Sequence, residues 1–335
     1  MSSLASLIAR YRELGIDGQI DYKKFYLYSI ITHSTAIEGS TVTEIENQLL
    51  FDKGISARGR TIAEQMMNLD LKVAYEKSIE FAKGGEKISI EMLRQLSALV
   101  MKNTGSEYNT ALGSFSSAKG DLRLLNVSAG IGGRSYMSFS KVPMKLEEFC
   151  NELNERRSQA GRLDIDSLYR MSFEAHYGLV TIHPWADGNG RMARLLMNQV
   201  QFENNLVPTR VLKEDKEESV KSLALSQEQS DSTFFVEFMM NSMARNLENE
   251  IQAFLRTTEM GGESPEMGGE NRKRGEKTSL QILSTLRNTP RMTTAELASV
   301  VGISPKAVEK QIARLKKGGK LLRIGPDKGG YWEVP

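Results

Sequence analysis

Apolar positions recur at the helical period through most of the first 256 residues. Leu4, Leu7, Ile8, Tyr11 and Leu14 share one helix face, and Ile90, Leu93, Leu96 and Val100 share another. The same spacing predicts helices over 22–38, 43–50, 60–83, 143–159, 164–181, 190–204 and 233–255. The pattern breaks between Leu122 and Val142, LRLLNVSAGIGGRSYMSFSKV, where two strand-like runs flank Gly130, Gly132 and Gly133. That segment predicts an isolated β-hairpin or flap. Residues 257–276, TTEMGGESPEMGGENRKRGE, repeat E-M-G-G-E and hold no core-forming run. A Gly-rich polar stretch buries too little apolar area to offset its ordering entropy, so a flexible linker is expected there.

Beyond the linker the logic changes. Helical patterns over 279–287 and 293–301 precede Gly-Ile-Ser-Pro, with Ser304 as N-cap and Pro305 in the first helical position. A basic amphipathic helix, 306–317, leads into two strand-like runs over 321–334. Helix, helix, turn, basic helix and β-wing resemble a winged helix-turn-helix. From Asn271 to Pro335 there are 14 Lys+Arg against 5 Asp+Glu, whereas the other 270 residues carry 30 against 37. The overall charge of +2 therefore hides a basic module, a candidate for a polyanion, and an acidic one. Lys306, Lys310, Arg314, Lys316 and Lys317 fit a DNA groove and a merely solvated face equally well.

Composition closes off other classes. At 335 residues the chain has room for about two domains of ~150 residues. With 40% hydrophobic and 26% charged residues, wholesale disorder is excluded. No run approaches the ~18 consecutive apolar residues of a membrane span, and the most apolar stretch, 25–37, is interrupted by Ser29, Thr32, His33 and Ser34. The first residues, MSSLASLIARYREL, lack the signal-peptide layout, so a cytoplasmic location and no membrane partner are expected. One cysteine, Cys150, excludes an internal disulfide and any multi-cysteine metal site.

The chemistry concentrates in Thr-Ile-His-Pro-Trp-Ala-Asp-Gly-Asn-Gly-Arg-Met-Ala-Arg, residues 181–194. Pro184 ends a helix at His183, and a glycine-containing loop leads into a new helix. At such a junction, backbone N–H groups and the helix dipole together make an anion cradle. Arg191 and Arg194, at i and i+3, face the same way, so both can reach one polyphosphate. Asp187 offers a hard oxygen for Mg²⁺. His183 can take a proton from a hydroxyl near neutral pH. Singly, each feature is more often structural; within twelve residues they point to one site.

This stretch closely resembles the signature of the Fic (Fido) family, H-[PX]-F-x-[DE]-G-N-G-R-x-x-R, with Trp185 for the usual Phe. The resemblance covers roughly residues 25–250. It implies a mainly α fold, a Fic-type helical bundle with a small β-hairpin flap, here followed by the winged-helix domain. The expected organisation is an N-terminal helical region over 1–90, a catalytic core over 91–256, the linker and a winged helix over 277–335. It also implies a protein adenylyltransferase that moves AMP from ATP to a Ser, Thr or Tyr hydroxyl of a target protein. His183 is then the general base and Asp187 the Mg²⁺ ligand. Gly188, Asn189 and Gly190 form the anion hole, with the Asn189 side chain reaching phosphate; Arg191 and Arg194 bind the β- and γ-phosphates. Arg134 and Tyr136, in the flap, become target contacts. The family's G-x-[FY]-R lead-in to the flap and its aromatic pair near the adenine are not matched cleanly.

Upstream, Ser34-Thr35-Ala36-Ile37-Glu38-Gly39 resembles the [ST]-x-x-x-E-[GN] motif of self-inhibited Fic proteins, on a helix over about 22–38. That implies autoinhibition through a Glu38–Arg194 pair, with Gly39 also serving as a helix cap. The resemblance admits a homodimer and DNA as further partners. Two alternatives stay open: a DNA-binding transcriptional regulator with a nucleotide-sensing Fic module, and an enzyme that removes AMP. His176, His33 and Cys150 are expected to be packing residues.

Overall fold

In a computed structural model, the first part of the chain forms α1 (Leu4–Glu13), α2 (Tyr22–Ile37), α3 (Glu44–Lys53), α4 (Ile62–Gly84) and α5 (Ile90–Val100). A short hairpin, β1 (Glu107–Thr110) and β2 (Gly113–Ser116), follows. Then come α6 (Val142–Ser158), α7 (Ile165–Ile182), α8 (Asn189–Glu203), α9 (Lys216–Gln229) and α10 (Thr233–Glu259). The structure describes residues 3–129 and 135–259 and, beyond them, 279, 282–283, 285–287, 289–290, 292–301, 305–317, 320–324 and 331–334. Two compact units divide the chain, Met1–Ser264 and Pro265–Pro335.

Capping chemistry sets several helix starts. Thr43 and Thr61 each accept from the third helical N–H, while Glu46 and Glu64 reach back to the cap backbone. At the centre lies α8, packed against α2, α4, α5 and α7. Its core is not uniformly apolar. Asn198, Gln199 and Gln201 are buried and each finds a partner: the Tyr75 hydroxyl donates to Asn198 Oδ1 at 2.7 Å, Ser78 Oγ to Gln199 Oε1 at 3.1 Å, and Gln201 Nε2 to Thr209 Oγ1 at 2.9 Å. Paired in this way, the amides cost little and fix how α8 is rotated.

A second polar knot holds α2. Thr35 Oγ1 and Asn47 Nδ2 each donate to Asn68 Oδ1 at 2.8 Å, Asn47 Nδ2 also reaches Thr32 Oγ1 at 2.7 Å, and Asn68 Nδ2 donates to Ser40 Oγ at 3.1 Å. Asn47, Asn68 and Thr35 are fully buried. One asparagine of α4 thus ties α2, the turn after it and α3 together.

In the second unit, α11 (Thr294–Val301) and α12 (Pro305–Lys317) precede an antiparallel pair, β3 (Leu322–Ile324) and β4 (Tyr331–Glu333). Ile282, Leu286, Leu297, Val308, Ile312 and Leu315 form its own core. Helices followed by a two-stranded wing make a winged helix-turn-helix, as the sequence pattern implied.

Three details differ from the sequence reading. The small regular hairpin lies at β1–β2, where Tyr108 stacks on Phe115 across the strands at 4.8 Å. In the segment expected to be the flap hairpin, the described pairing is one bridge, Ser128–Ser135, with the Tyr136 N–H donating to Val127 O at 3.0 Å. Helix α9 had no clear periodic signal because Ser226 is its only buried residue. Helix α10 runs to Glu259, three residues into the expected linker; the rest of that linker and Arg134 lie outside the described residues.

Replacing Asn68 by Ala leaves Thr35 and Asn47 without their shared acceptor. Thr35 Oγ1 keeps the Ile31 carbonyl and Asn47 Nδ2 keeps Thr32 Oγ1, so unfolding of the first unit by denaturant is expected to show a loss of about 1–3 kcal/mol, the cost of the one buried N–H left unpaired. A loss under ~0.5 kcal/mol, the scale of a surface change, would mean the knot does not hold α2.

Candidate active site

Helix α7 starts on Asp164, whose side chain accepts from the Ser167 N–H, and stops at His183. There the backbone turns left-handed, φ 54° and ψ 61°, an uncommon state for a non-glycine residue. The next residue, Pro184, cannot continue the helix. Trp185 is fully buried and its indole donates to Gly120 O at 3.2 Å. Asn189 folds the loop back: its Oδ1 accepts from Trp185 N at 3.1 Å and its Nδ2 donates to Trp185 O at 2.9 Å. The amide thereby braces the loop, which in turn aims the N-terminus of α8.

Two glycines leave room that a side chain would take from flexible neighbours. Gly188 has φ 82°, and a Cβ there would come within 2.8 Å of Met101 Sδ. At Gly190 a Cβ would stand 2.9 Å from a carboxylate oxygen of Glu38. The first turn of α8 is therefore open to a close-approaching oxygen, and Glu38 supplies one.

Arg194 is buried. Its Nη2 donates to Glu38 Oε1 at 2.6 Å and to Ser34 O at 3.1 Å, and its Nε donates to Ser34 Oγ at 2.8 Å. Burial alone would raise the Glu38 carboxyl pKa; the Arg194 charge and hydrogen bond, helped by Arg191 and Lys216, outweigh it and hold the group below its ordinary value. Gly39 completes the turn after α2 at φ 106°. The segment 34–39 and the loop motif, about 150 residues apart in sequence, thus meet through one ion pair and two hydrogen bonds to Ser34.

Arg191 is less well served. It is 3% exposed, its nearest carboxylate oxygen is Asp187 Oδ1 at 3.8 Å, and its Nη1 reaches Val100 O only at 3.5 Å. Its Nε is buried with no partner among the described residues. The buried, under-satisfied guanidinium lies beside a helix N-terminus whose partial charge has the same sign.

His183 Nδ1 lies 3.3 Å from Val180 O. A carbonyl can only accept, so Nδ1 carries the proton and Nε2 keeps its lone pair. Burial lowers the imidazole pKa most; the Val180 carbonyl opposes this, Arg123 adds to it and Asp187 opposes it, leaving a value of about 4. The ring is a neutral base at physiological pH. Tyr136 stacks on it with centroids 3.7 Å apart. Beside this stack, Ala129, Ser135, Tyr136, Met137, Thr181 and Gln227 line a cavity of about 340 Å³.

Asp187 is the half-exposed carboxylate at the loop edge. Among the described residues no group of three or more His, Cys, Asp or Glu could hold a metal. A cation here would take one protein carboxylate and complete its shell from phosphate and water, as Mg²⁺ does. Cys150 and His176 are buried in the core, and His33 is a partly exposed, hydrogen-bonded side chain. The Cys150 thiol is pushed up to about 12 by burial. His176 is buried against Phe235, and His33 Nδ1 accepts from the Lys213 N–H at 3.1 Å. Sequence reading missed Arg123, whose side chain reaches the carbonyls of His183, Leu125 and Met137; its signal was the Gly120-Asp121-Leu122-Arg123 stretch, with Leu where an aromatic was expected.

Comparison with known proteins agrees with this geometry. Residues 87–201 match the sequence model of the Fic/DOC family, and 276–321 match that of the winged helix-turn-helix DNA-binding family. Similar curated proteins include protein adenylyltransferase fic-1 of Caenorhabditis briggsae, 25% identical over 76% of this chain and 47% of the relative. Protein adenylyltransferase Fic of Nematostella vectensis is 28% identical over 68% of this chain and 48% of its own length. The chain thus spans about half the length of the curated relatives it matches. A solved Fic-domain-containing signalling protein of Bacteroides thetaiotaomicron superposes with a TM-score of 0.63 over 79% of this chain and all of the other, at 21% identity. The chain carries a Fic/DOC domain, with its signature loop at the start of α8, and a C-terminal winged helix-turn-helix.

Proposed function

We propose that this protein transfers AMP from Mg²⁺-bound ATP to a Ser, Thr or Tyr hydroxyl of a protein target, itself included, and that Glu38 restrains it. The observation that carries this reading is that Asp187, in the loop before α8, acts on both the neutral imidazole of His183 and the under-satisfied Arg191. The names of the curated relatives support the same chemistry.

In this reading the N–H groups at the start of α8 and Arg191 hold the α- and β-phosphates, and Arg194 holds the γ-phosphate. Asp187 would ligate Mg²⁺, which neutralises phosphate charge when bound. The cavity between Tyr136, Met137, Thr181 and Gln227 receives the base, with apolar walls for its face and polar atoms for its edge. His183 Nε2 takes the hydroxyl proton as the target oxygen bonds to the α-phosphorus. The bond from that phosphorus to the bridging oxygen breaks, and pyrophosphate leaves.

Restraint follows from charge. Glu38 occupies Arg194 and sets a carboxylate where a phosphate of like sign must go. ATP then binds with its γ-phosphate displaced, and the α-phosphorus is turned from in-line attack.

The winged helix supports a second partner. Its match to a DNA-binding family and the net positive charge of its segment favour duplex DNA.

The test is covalent labelling of the full chain with ATP carrying the label at the α or the γ position. Label from α alone is expected, raised about tenfold or more in Glu38→Gly, equivalent to ~1.4 kcal/mol of barrier. It should fall by roughly a hundredfold or more when His183→Ala is added, the usual cost of losing a general base. Label from γ alone would contradict AMP transfer, and a folded Glu38→Gly protein with no gain would contradict the restraint. For the DNA partner, affinity for random duplex should fall steeply with salt and vanish when the second unit is deleted. Salt-insensitive binding, or none, would make the wing a protein-docking module.

A further inference from the structure

Arg123 is a large charged side chain that is 1% exposed. Its Nε donates to His183 O at 2.8 Å, its Nη1 to Leu125 O at 2.8 Å and its Nη2 to Met137 O at 2.6 Å. Its backbone N–H donates to Pro184 O at 3.0 Å. Among the described residues no carboxylate lies within ion-pair distance, and burial lowers its pKa.

An unpaired buried cation is an expensive way to close a loop. Neutral asparagine does that job at Trp185 in this same protein. Two features account for the expense. First, only a guanidinium presents three divergent donors in one rigid plane. Here the three reach the residue that must aim the base and both sides of the flap, at Leu125 and Met137. The carbonyls of His183 and Pro184 are both held by Arg123, so the strained left-handed backbone at His183 is fixed from outside helix α7. Second, the charge sits beside the imidazole and works against its protonation.

We propose that Arg123 is a positioning residue that locks the His183 backbone and the two ends of the flap into one geometry, so that base and target segment are registered to each other. The groups facing His183 are the Val180 carbonyl from α7, Asp187 from the following loop, and Tyr136 and Arg123 from the flap side.

The inference rests on the AMP-transfer reading, and its test separates the two. In full-length protein carrying Glu38→Gly, Arg123→Lys retains the charge but cannot span three carbonyls. Its kcat for self-modification with AMP should fall about tenfold or more, because small misplacements of a base are costly, while the ATP Kd stays within about twofold. Arg123→Gln also removes the charge. Histidine acts as a base only when neutral, so its activity is lost as pH falls through its pKa. Without the cation that pKa rises, and the acid limb of kcat should move to higher pH in Arg123→Gln but not in Arg123→Lys. Should the Glu38→Gly parent transfer nothing, the functional reading fails, and the clamp is read without turnover. Amide exchange at Tyr136 should quicken by about tenfold or more in both variants, with α8 unchanged.

A kcat equal to the parent's, a matching loss of ATP binding, or unchanged exchange at Tyr136 would each overturn the positioning role. If neither variant folds, amide exchange at Tyr136 in the wild-type chain decides: protection comparable to that of α8 is expected, and exchange at the rate of an open loop would overturn the proposal.

Discussion

Two arginines buried at the first turn of α8 set the terms for everything around them. A guanidinium taken out of water must find anions or carbonyls, and the same helix end already carries partial positive charge. Arg194 finds Glu38 and Ser34; Arg191 finds a distant Asp187, one weak carbonyl contact and a sulfur. The molecule therefore holds a half-satisfied cationic cluster in its core, the site proposed for a polyphosphate. The glycines at 188 and 190, the loop folded by Asn189 and the rotation of α8 set by its buried amides all serve to keep that site open and aimed.

The helix bearing Glu38 is held by a different kind of bond. Its Thr32 and Thr35 lock onto Asn47 and Asn68, deep in the fold, while its C-terminal end meets Arg194 through the Glu38 carboxylate and two oxygens of Ser34. A rigid body with a single charged contact at its tip suits a restraint that an incoming phosphate can compete with. The Glu38 carboxyl stays ionised because the guanidinium outweighs burial, so the competition is between two anions for one cation.

Much of this was legible in the sequence because the motif is local. Twelve consecutive residues carry the loop, the base and both arginines, and helical periodicity supplied most of the scaffold. The pairing of Glu38 with Arg194 needed the resemblance, since nothing in spacing alone joins positions 156 apart. Three things stayed hidden. Helix α9 buries almost nothing, so it leaves no periodic trace. That the Asn189 amide ties the loop to backbone atoms four residues earlier leaves no trace in residue type or spacing. Arg123 is an arginine among flap residues until folding brings it under His183, 60 residues on. Long-range hydrogen bonds to backbone carbonyls have no side-chain signature in sequence.

The central claim is that a carboxylate and a γ-phosphate compete for Arg194. Calorimetric titration of Mg²⁺-bound ATP and ADP into the full-length wild-type and Glu38→Gly proteins tests it without any target or turnover. The substitution is expected to tighten ATP by about tenfold or more, ~1.4 kcal/mol, and to leave ADP, which has no γ-phosphate, within about twofold. Equal changes for both nucleotides, or none for either, would contradict the account.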